Sequence, residues 1–204
     1  MMKLYVASAS PFGRKCAIVA HELGLESKVQ FEPATVSPVS RNEDIARGNP
    51  LVKIPTLLLD DGGSLFDSPV ICEYFDSLSG SPKLFPAIGP ARWTALKRQA
   101  LADGLMDAAI LLRYEQQLRP EPFRWIDWIA GQQAKLTGAL DAMEADVPNF
   151  GDGFDIGHVA SACAVGYLDL RFAHLKWREG RPQLAAWFAN VSQRPSLIAT
   201  FPKA

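Results

Sequence analysis

The chain has 204 residues, 48% hydrophobic and 21% charged, enough to bury one large core or two small ones. Its formal charge is −1 with both signs interspersed, which removes the electrostatic case for nucleic acid or an anionic membrane surface as partner. No apolar run approaches the roughly 20 residues of a membrane span, and the few residues before Ser8 are too short a stretch for a secretory signal.

Leu4-Tyr5-Val6 is aromatic and β-branched, and predicts a strand over 3–7. Ser10-Pro11 then suits a helix start, with Ser10 as N-cap and Pro11 at the first position, where its missing N–H costs nothing. Phe12, Cys16, Val19 and Leu23 recur at helical spacing over 11–23, and Gly24 is the stop. A serine hydroxyl therefore sits at the positive end of a helix that leaves a strand, a place suited to an anion. An ordinary cap fits the same residues.

Residues 28–34 alternate like a second strand, and a polar segment runs on to Asn49-Pro50. The run 53–59 contains Pro55, which cannot donate to a ladder and marks a strand start or edge. The Ile54–Pro55 bond is a candidate for the cis isomer. The Ile54 backbone then stays free to pair with an extended peptide, although a plain turn proline is equally compatible. Asp61-Gly62-Gly63 predicts a hairpin turn before a short strand, 64–66. Asp67-Ser68-Pro69 repeats the cap pattern before a helix over 70–78. Free N–H groups and Ser68 there suit a carboxylate, and Asp67 suits an ammonium, with a simple cap as the alternative.

Residues 79–91 are rich in Gly and Pro and read as a linker, after which only helical patterns follow. These span 91–118, 123–145, 156–175 behind a possible Asp155 cap, 181–193 and 195–199. Trp125, Trp128, Ile129, Leu136, Leu140 and Met143 share one face of the second, which reads as core. The order gives an α/β half followed by an all-helical half: 1–80, a linker at 81–91, and 92–204. Cys16, Cys72 and Cys163 sit in apolar helices and read as core, and neither they nor His21, His158 and His174 form a metal-like cluster. For His21 and His174 the sequence names no partner. Widely spaced cysteines suit a reducing cytoplasm.

Three segments carry a family resemblance: Ser10-Pro11-Phe12-x-Arg14-Lys15, Asn49-Pro50-x-x-Lys53-Ile54-Pro55-x-Leu57, and Phe66-Asp67-Ser68-Pro69-x-Ile71-x-x-Tyr74. In this order and at these separations they resemble the N-terminal signatures of the glutathione S-transferase superfamily, closest to bacterial serine-type members. The likeness continues through Ala100–Ala108 and Ala162–Leu168, nearly the whole chain. It implies a thioredoxin-like N-terminal domain, an all-helical C-terminal domain, and a homodimer in which helix 68–78 meets the partner's helix 91–118. It implies glutathione as co-substrate, without a metal, and a detoxifying transfer onto small, mostly apolar electrophiles.

By the same resemblance, Ser10 faces the glutathione sulfur. Phe12 belongs to the glutathione site, the Ile54 backbone before Pro55 pairs with the cysteinyl part, Asp67 and Ser68 hold the γ-glutamyl end, and Lys53 reaches the glycyl carboxylate. Met106, Leu111, Arg113, Tyr114 and Gln117 face the electrophile. Two departures stand out. Some branches place the activating serine where this chain has Ala9, which leaves Ser8 a lesser candidate. In the late helix the family pairs Ser/Thr with Asp, whereas Asp155 and His158 stand here, so an altered reciprocal cap is expected.

Ser10 is expected to activate rather than attack. A serine nucleophile needs an adjacent base, and His21 lies eleven residues along, roughly 16 Å at 1.5 Å per residue. A free thiol titrates at about 8.5 and reacts only as thiolate. One hydrogen bond to the charged sulfur contributes about 1.5–3 kcal/mol and a helix N-terminus about 0.3–1 kcal/mol. Together they lower a thiol pKa by roughly 1–3 units. Two alternatives remain: a glutathione-binding regulatory protein with little turnover, and a glutathione-dependent thiol-disulfide reductase, which Ser10 in place of cysteine argues against.

Overall fold

The computed structural model describes residues 1–80 and 84–202. The chain runs β1 (Met2–Val6), α1 (Pro11–Glu22), β2 (Val29–Pro33), α2 (Glu43–Gly48), β3 (Thr56–Leu58), β4 (Ser64–Leu65) and α3 (Ser68–Ser77), then α4 (Gly89–Gln117), α5 (Ile126–Asp146), α6 (Ile156–Arg171), α7 (Pro182–Val191) and α8 (Pro195–Ala199). The sheet order is β2-β1-β3-β4. β1 is parallel to β2 and antiparallel to β3, with Leu4 opposite Phe31 and Leu57, and β3 is antiparallel to β4. The parallel pair requires a crossover, which α1 supplies.

α1 begins as its sequence predicts: Ser10 is extended and its Oγ accepts the Gly13 N–H at 3.1 Å, with Pro11 next. It ends before Gly24, whose φ of +65° lies in the left-handed region that favours glycine. Gly13 lets the helix lie close on β1, because a Cβ there would meet Val6 at 3.1 Å. α2 falls inside the segment read only as polar. Asn42 caps it by accepting from the N–H groups of Asp44 and Ile45, and Ile45 alone of the helix is buried.

One continuous core joins the two halves: Leu4, Ile18, Leu57, Ile71 and Phe75 lie in the same buried cluster as Leu105, Leu112, Val159 and Leu168. α4 packs along α6 and α5, and α1 reaches both α3 and α6. The stretch assigned to a linker is partly core as well. Leu84 and Phe85 are buried, Leu84 N–H donates to Asp76, Leu84 C=O accepts from Ile156 N–H, and α4 already begins at Gly89. Residues 81–83 of that stretch lie outside the described residues.

Four expectations change. The helix predicted over 156–175 stops at Arg171, and 173–175 form a separate tight turn. The cap of α6 is altered, as expected, yet complete. Asp155 Oδ1 accepts from His158 N–H at 3.1 Å while His158 Nδ1 lies 3.1 Å from Asp155 N, so histidine closes the reciprocal box. His21 also has a partner, Glu26 at 3.3 Å. The apolar face of α5 is split: Leu136, Leu140 and Met143 are buried, but Trp125 and Trp128 at its start are 62% and 40% exposed.

Candidate functional site

The site gathers where β1, β3 and α3 deliver their chain ends against α4. Ser10 stands at the C-terminal end of β1, over the N-terminus of α1. Its hydroxyl has one proton to donate and two lone pairs. The Gly13 N–H uses a lone pair, so the O–H remains available to an anion, and the cap bond fixes where Oγ stands. The cap role and the anion role are therefore compatible on one atom. Ser8, Ser10 and Pro11 border a recess of about 10 Å³ completed by Tyr167 and Leu170 of α6. Those two aromatic and aliphatic neighbours are invisible to local sequence reading, being more than 150 residues away.

The Lys53-Ile54-Pro55 loop is held from below. Asn49, buried, donates through Nδ2 to Lys53 C=O and to Thr56 Oγ1, both at 3.1 Å, and its Oδ1 accepts from Leu51 N–H. Thr56 Oγ1 donates to Lys53 C=O at 2.8 Å. Ile54–Pro55 is cis, and the β1–β3 ladder stops at Thr56, so Ile54 lies outside it. Val52, just before, has φ +54°, an unusual conformation for a β-branched residue and one that recurs at ligand clamps. Lys53 is exposed and lines a cleft of about 500 Å³ with Val39, Val52 and Tyr114.

Asp67 is the N-cap residue of α3, yet its side chain makes no cap bond; it is exposed, and Ser68 beside it is buried. The simple-cap reading of Asp67 thus lacks the bond it needs. Around it lie two further carboxylates and two ammonium groups. Lys15 is fully enclosed, and its Nζ sits 2.6 and 2.7 Å from the Asp103 carboxylate on α4. Burial pushes the Asp103 carboxyl up, Lys15 pulls it down, and the charges of Asp107 and Asp67 raise it further. Asp107 is raised by desolvation and by Asp67, against Lys53 and Lys15. Burial alone would lower Lys15, but Asp103 outweighs it and its pKa is raised. The neighbourhood is short of positive charge, which suits an incoming ammonium.

Sequence reasoning missed Asp103, Asp107 and the Lys15 link, because the partners are 88 residues apart for the ion pair. Arg14, the other cation of the first signature, is buried too and donates to Leu197 C=O on α8. Phe12 is partly buried, its ring 5.6 Å from Lys15 Nζ. Of the residues expected toward the electrophile, Tyr114 lines the cleft with Lys53, Leu111 is exposed beside it, Arg113 is half-buried and Gln117 is exposed. Met106 is fully buried in the core, on the inner face of α4. The three cysteines are free and buried, and burial pushes Cys163 up to about 12, away from the range of a ready thiolate nucleophile.

Residues 9–78 match the family model for the glutathione S-transferase N-terminal domain, and residues 126–190 match that for the C-terminal domain. The chain belongs to the glutathione S-transferase family. It is 34% identical to the uncharacterized GST-like protein YibF of Escherichia coli strain K12, across 98% of both chains. It is also similar to a glutathione transferase family member from Pseudomonas fluorescens Pf-5. That protein's structure with bound glutathione aligns over the whole of both chains at 44% identity and a TM-score of 0.97. Its structure with bound S-(propanoic acid)-glutathione aligns equally fully, at 43% and 0.92. The thioredoxin-like half and the helical half expected from the sequence are both present. Among the described residues no helix is long and apolar enough to cross a membrane, and no His, Cys, Asp and Glu cluster could hold a metal.

Proposed function

We propose that this protein is a glutathione transferase that joins the thiolate of glutathione to small, mostly apolar electrophiles. The observation that carries the reading is Ser10: its oxygen is pinned by the Gly13 N–H at the start of α1, with its proton left to donate. The bound thiol gives its proton to solvent. Its sulfur is held as thiolate by the Ser10 O–H and the helix N-terminus, and a sulfur lone pair forms the C–S bond while the leaving group departs with its electron pair. Ile54, outside the ladder beside the cis Pro55, takes the cysteinyl backbone. Asp67, with Ser68 and in the field of Asp103 and Asp107, takes the γ-glutamyl ammonium. Lys53 takes the glycyl carboxylate.

The Pseudomonas fluorescens relative supports this twice, holding both free glutathione and a glutathione with its sulfur substituted. Residues 1–80 form the glutathione-binding domain, and the helices from α4 onward, beginning at Gly89, form the domain that contributes the electrophile side. Three buried free thiols fit the reducing cytoplasm. The molecule pairs with a second copy through α3 and the first half of α4, where Val70, Ile88 and Trp93 are exposed.

The decisive assay is conjugation of glutathione to 1-chloro-2,4-dinitrobenzene, followed by absorbance, alongside titration calorimetry with glutathione. Saturable turnover with micromolar-to-millimolar glutathione binding is expected. Binding without turnover on any of a panel of electrophiles would leave a glutathione-binding protein of this fold. Reduction of mixed disulfides would require a redox cysteine, and Ser10 stands where one is needed.

A further inference from the structure

The chain has twelve arginines, and the guanidinium groups of ten of them are engaged in hydrogen bonds or ion pairs. Arg113 on α4 and Arg171 at the end of α6 are the two that are not, among the described residues, although both are half-buried. The acids nearest them in sequence are already taken. Glu115 accepts from Arg119 Nε and the Trp125 N–H, and Asp169 accepts from Trp177 Nε1 and both arms of Arg178. Two partly desolvated cations without a counter-charge leave hydrogen-bonding capacity unused. A lone surface arginine needs no such account, but these two act on one side chain.

That side chain is Tyr167. It is buried on α6 and lines the recess bordered by Ser8, Ser10 and Pro11, so it stands beside the oxygen proposed to face the sulfur. Arg171 follows it by four residues, one turn on along the same helix face, and α4 with Arg113 packs along α6. Burial pushes the Tyr167 hydroxyl up, the charges of Arg113 and Arg171 pull it down, and the net direction is up. It therefore stays protonated at neutral pH, and among the described residues it bonds to nothing, so its O–H is a third free donor. From the two unpaired guanidinium groups and their link through Tyr167 to the Ser10 recess, we infer that Arg113 and Arg171 form a carboxylate-binding subsite on the electrophile side. The chain then takes small electrophiles that carry an acid group. A guanidinium fork matches the two oxygens of a carboxylate. The Lys53 ammonium, proposed for the glycyl carboxylate, acts on Asp107, whereas these two guanidinium groups act on Tyr167. The inference rests on the transferase reading for the reaction, while binding at the subsite is measured without turnover.

The test compares 4-(bromomethyl)benzoate with its methyl ester. In both, the thiolate sulfur of glutathione bonds the benzylic carbon and bromide leaves with the bonding pair, and each rate is divided by its uncatalysed rate. Wild type should favour the acid about tenfold in kcat/KM, the scale of one charge-assisted bond at a half-exposed site. Arg113→Gln and Arg171→Gln should each lose most of that preference and the double variant all of it. Arg171→Lys should keep part, since it retains the charge without the fork. Neither guanidinium holds another side chain, so folding is expected to survive, and melting curves check it. Titration calorimetry makes the same comparison without chemistry. S-(4-carboxybenzyl)glutathione should bind wild type about tenfold more tightly than S-(4-methoxycarbonylbenzyl)glutathione, and the double variant should bind the two equally. If neither bromide reacts above the uncatalysed rate, the transferase reading fails, and the calorimetric pair alone decides the subsite. Equal normalised rates for acid and ester in wild type, an acid preference that survives in the double variant, or equal wild-type binding of the two conjugates would overturn the inference. So would a matching loss of affinity for glutathione itself in the double variant, which would assign the guanidinium groups to a carboxylate of glutathione.

Discussion

Replacing Ser10 separates two jobs that one oxygen performs. Ser10→Ala removes the acceptor for the Gly13 N–H, now 3.1 Å from Oγ, and the donor proposed for the glutathione sulfur. Losing an N-cap serine to alanine costs about 0.5–2 kcal/mol, whereas glycine at the same position costs only a few tenths. For a chain of this size, about 1 kcal/mol moves Tm by roughly 2–4 °C. The lost bond to a charged sulfur is worth about 1.5–3 kcal/mol, which raises the bound thiol pKa by about 1–2 units. Ser10→Gly should therefore keep nearly the wild-type Tm yet lose conjugation at neutral pH by about ten- to a hundredfold. Ser10→Ala should lose the same activity and several degrees of Tm. In both, part of the lost rate should return as pH rises, because the thiolate then forms without help. Calorimetric melting and a pH–rate profile of each variant with 1-chloro-2,4-dinitrobenzene read both effects. Full activity in Ser10→Gly would refute the argument and shift the sulfur contact to Ser8 or a backbone N–H.

Asp67→Asn should weaken glutathione ten- to a hundredfold by titration calorimetry, since it removes a charge-assisted bond worth about 1.5–3 kcal/mol. Asp107→Asn should weaken it less while leaving Tm unchanged or raised: its folded pKa is shifted up by desolvation and by Asp67, so its charged form opposes folding at neutral pH. Asp155→Ala should lower Tm by a few degrees at pH 7, the cost of an N-cap. Desolvation alone would raise the Asp155 pKa, but the bonds with His158 outweigh it and hold the carboxyl below its usual value. Its contribution is thus present above the unfolded value of about 3.9 and is lost as pH falls through the lower folded value. Melting curves of wild type and variant should converge under strong acid, and a constant gap would refute the charged cap. Sedimentation at micromolar concentration should give twice the chain mass, falling to one chain mass when Trp93 and Val70 are replaced by aspartate; a wild-type monomer would exclude the pairing.

What was legible in the sequence was chemistry confined to a few consecutive residues. Ser10-Pro11 defines a helix start because cap and proline act within one turn, and Pro55 marks the end of a ladder because it has no N–H to give. The α2 helix was not legible, since six residues with one buried side chain carry no periodicity; only Asn42 before Glu43-Asp44 hinted at it. Lys15 and Asp103 illustrate a second limit. Each reads as an ordinary charged residue on its own helix, and only the packing of α1 against α4 makes them a buried pair below the site. Met106 and the α5 tryptophans show the third. Periodicity tells which residues share a face of a helix, not whether another element covers that face. On α4 the face holding Met106 is covered by the core, so that residue is enclosed. On α5 the face is covered at Leu136, Leu140 and Met143 but not at its start, where Trp125 and Trp128 stand in the open. An apolar stripe that outruns its cover is held in water at a cost. Here the cost falls on two stacked indoles, with the Trp125 backbone N–H held by Glu115 on α4.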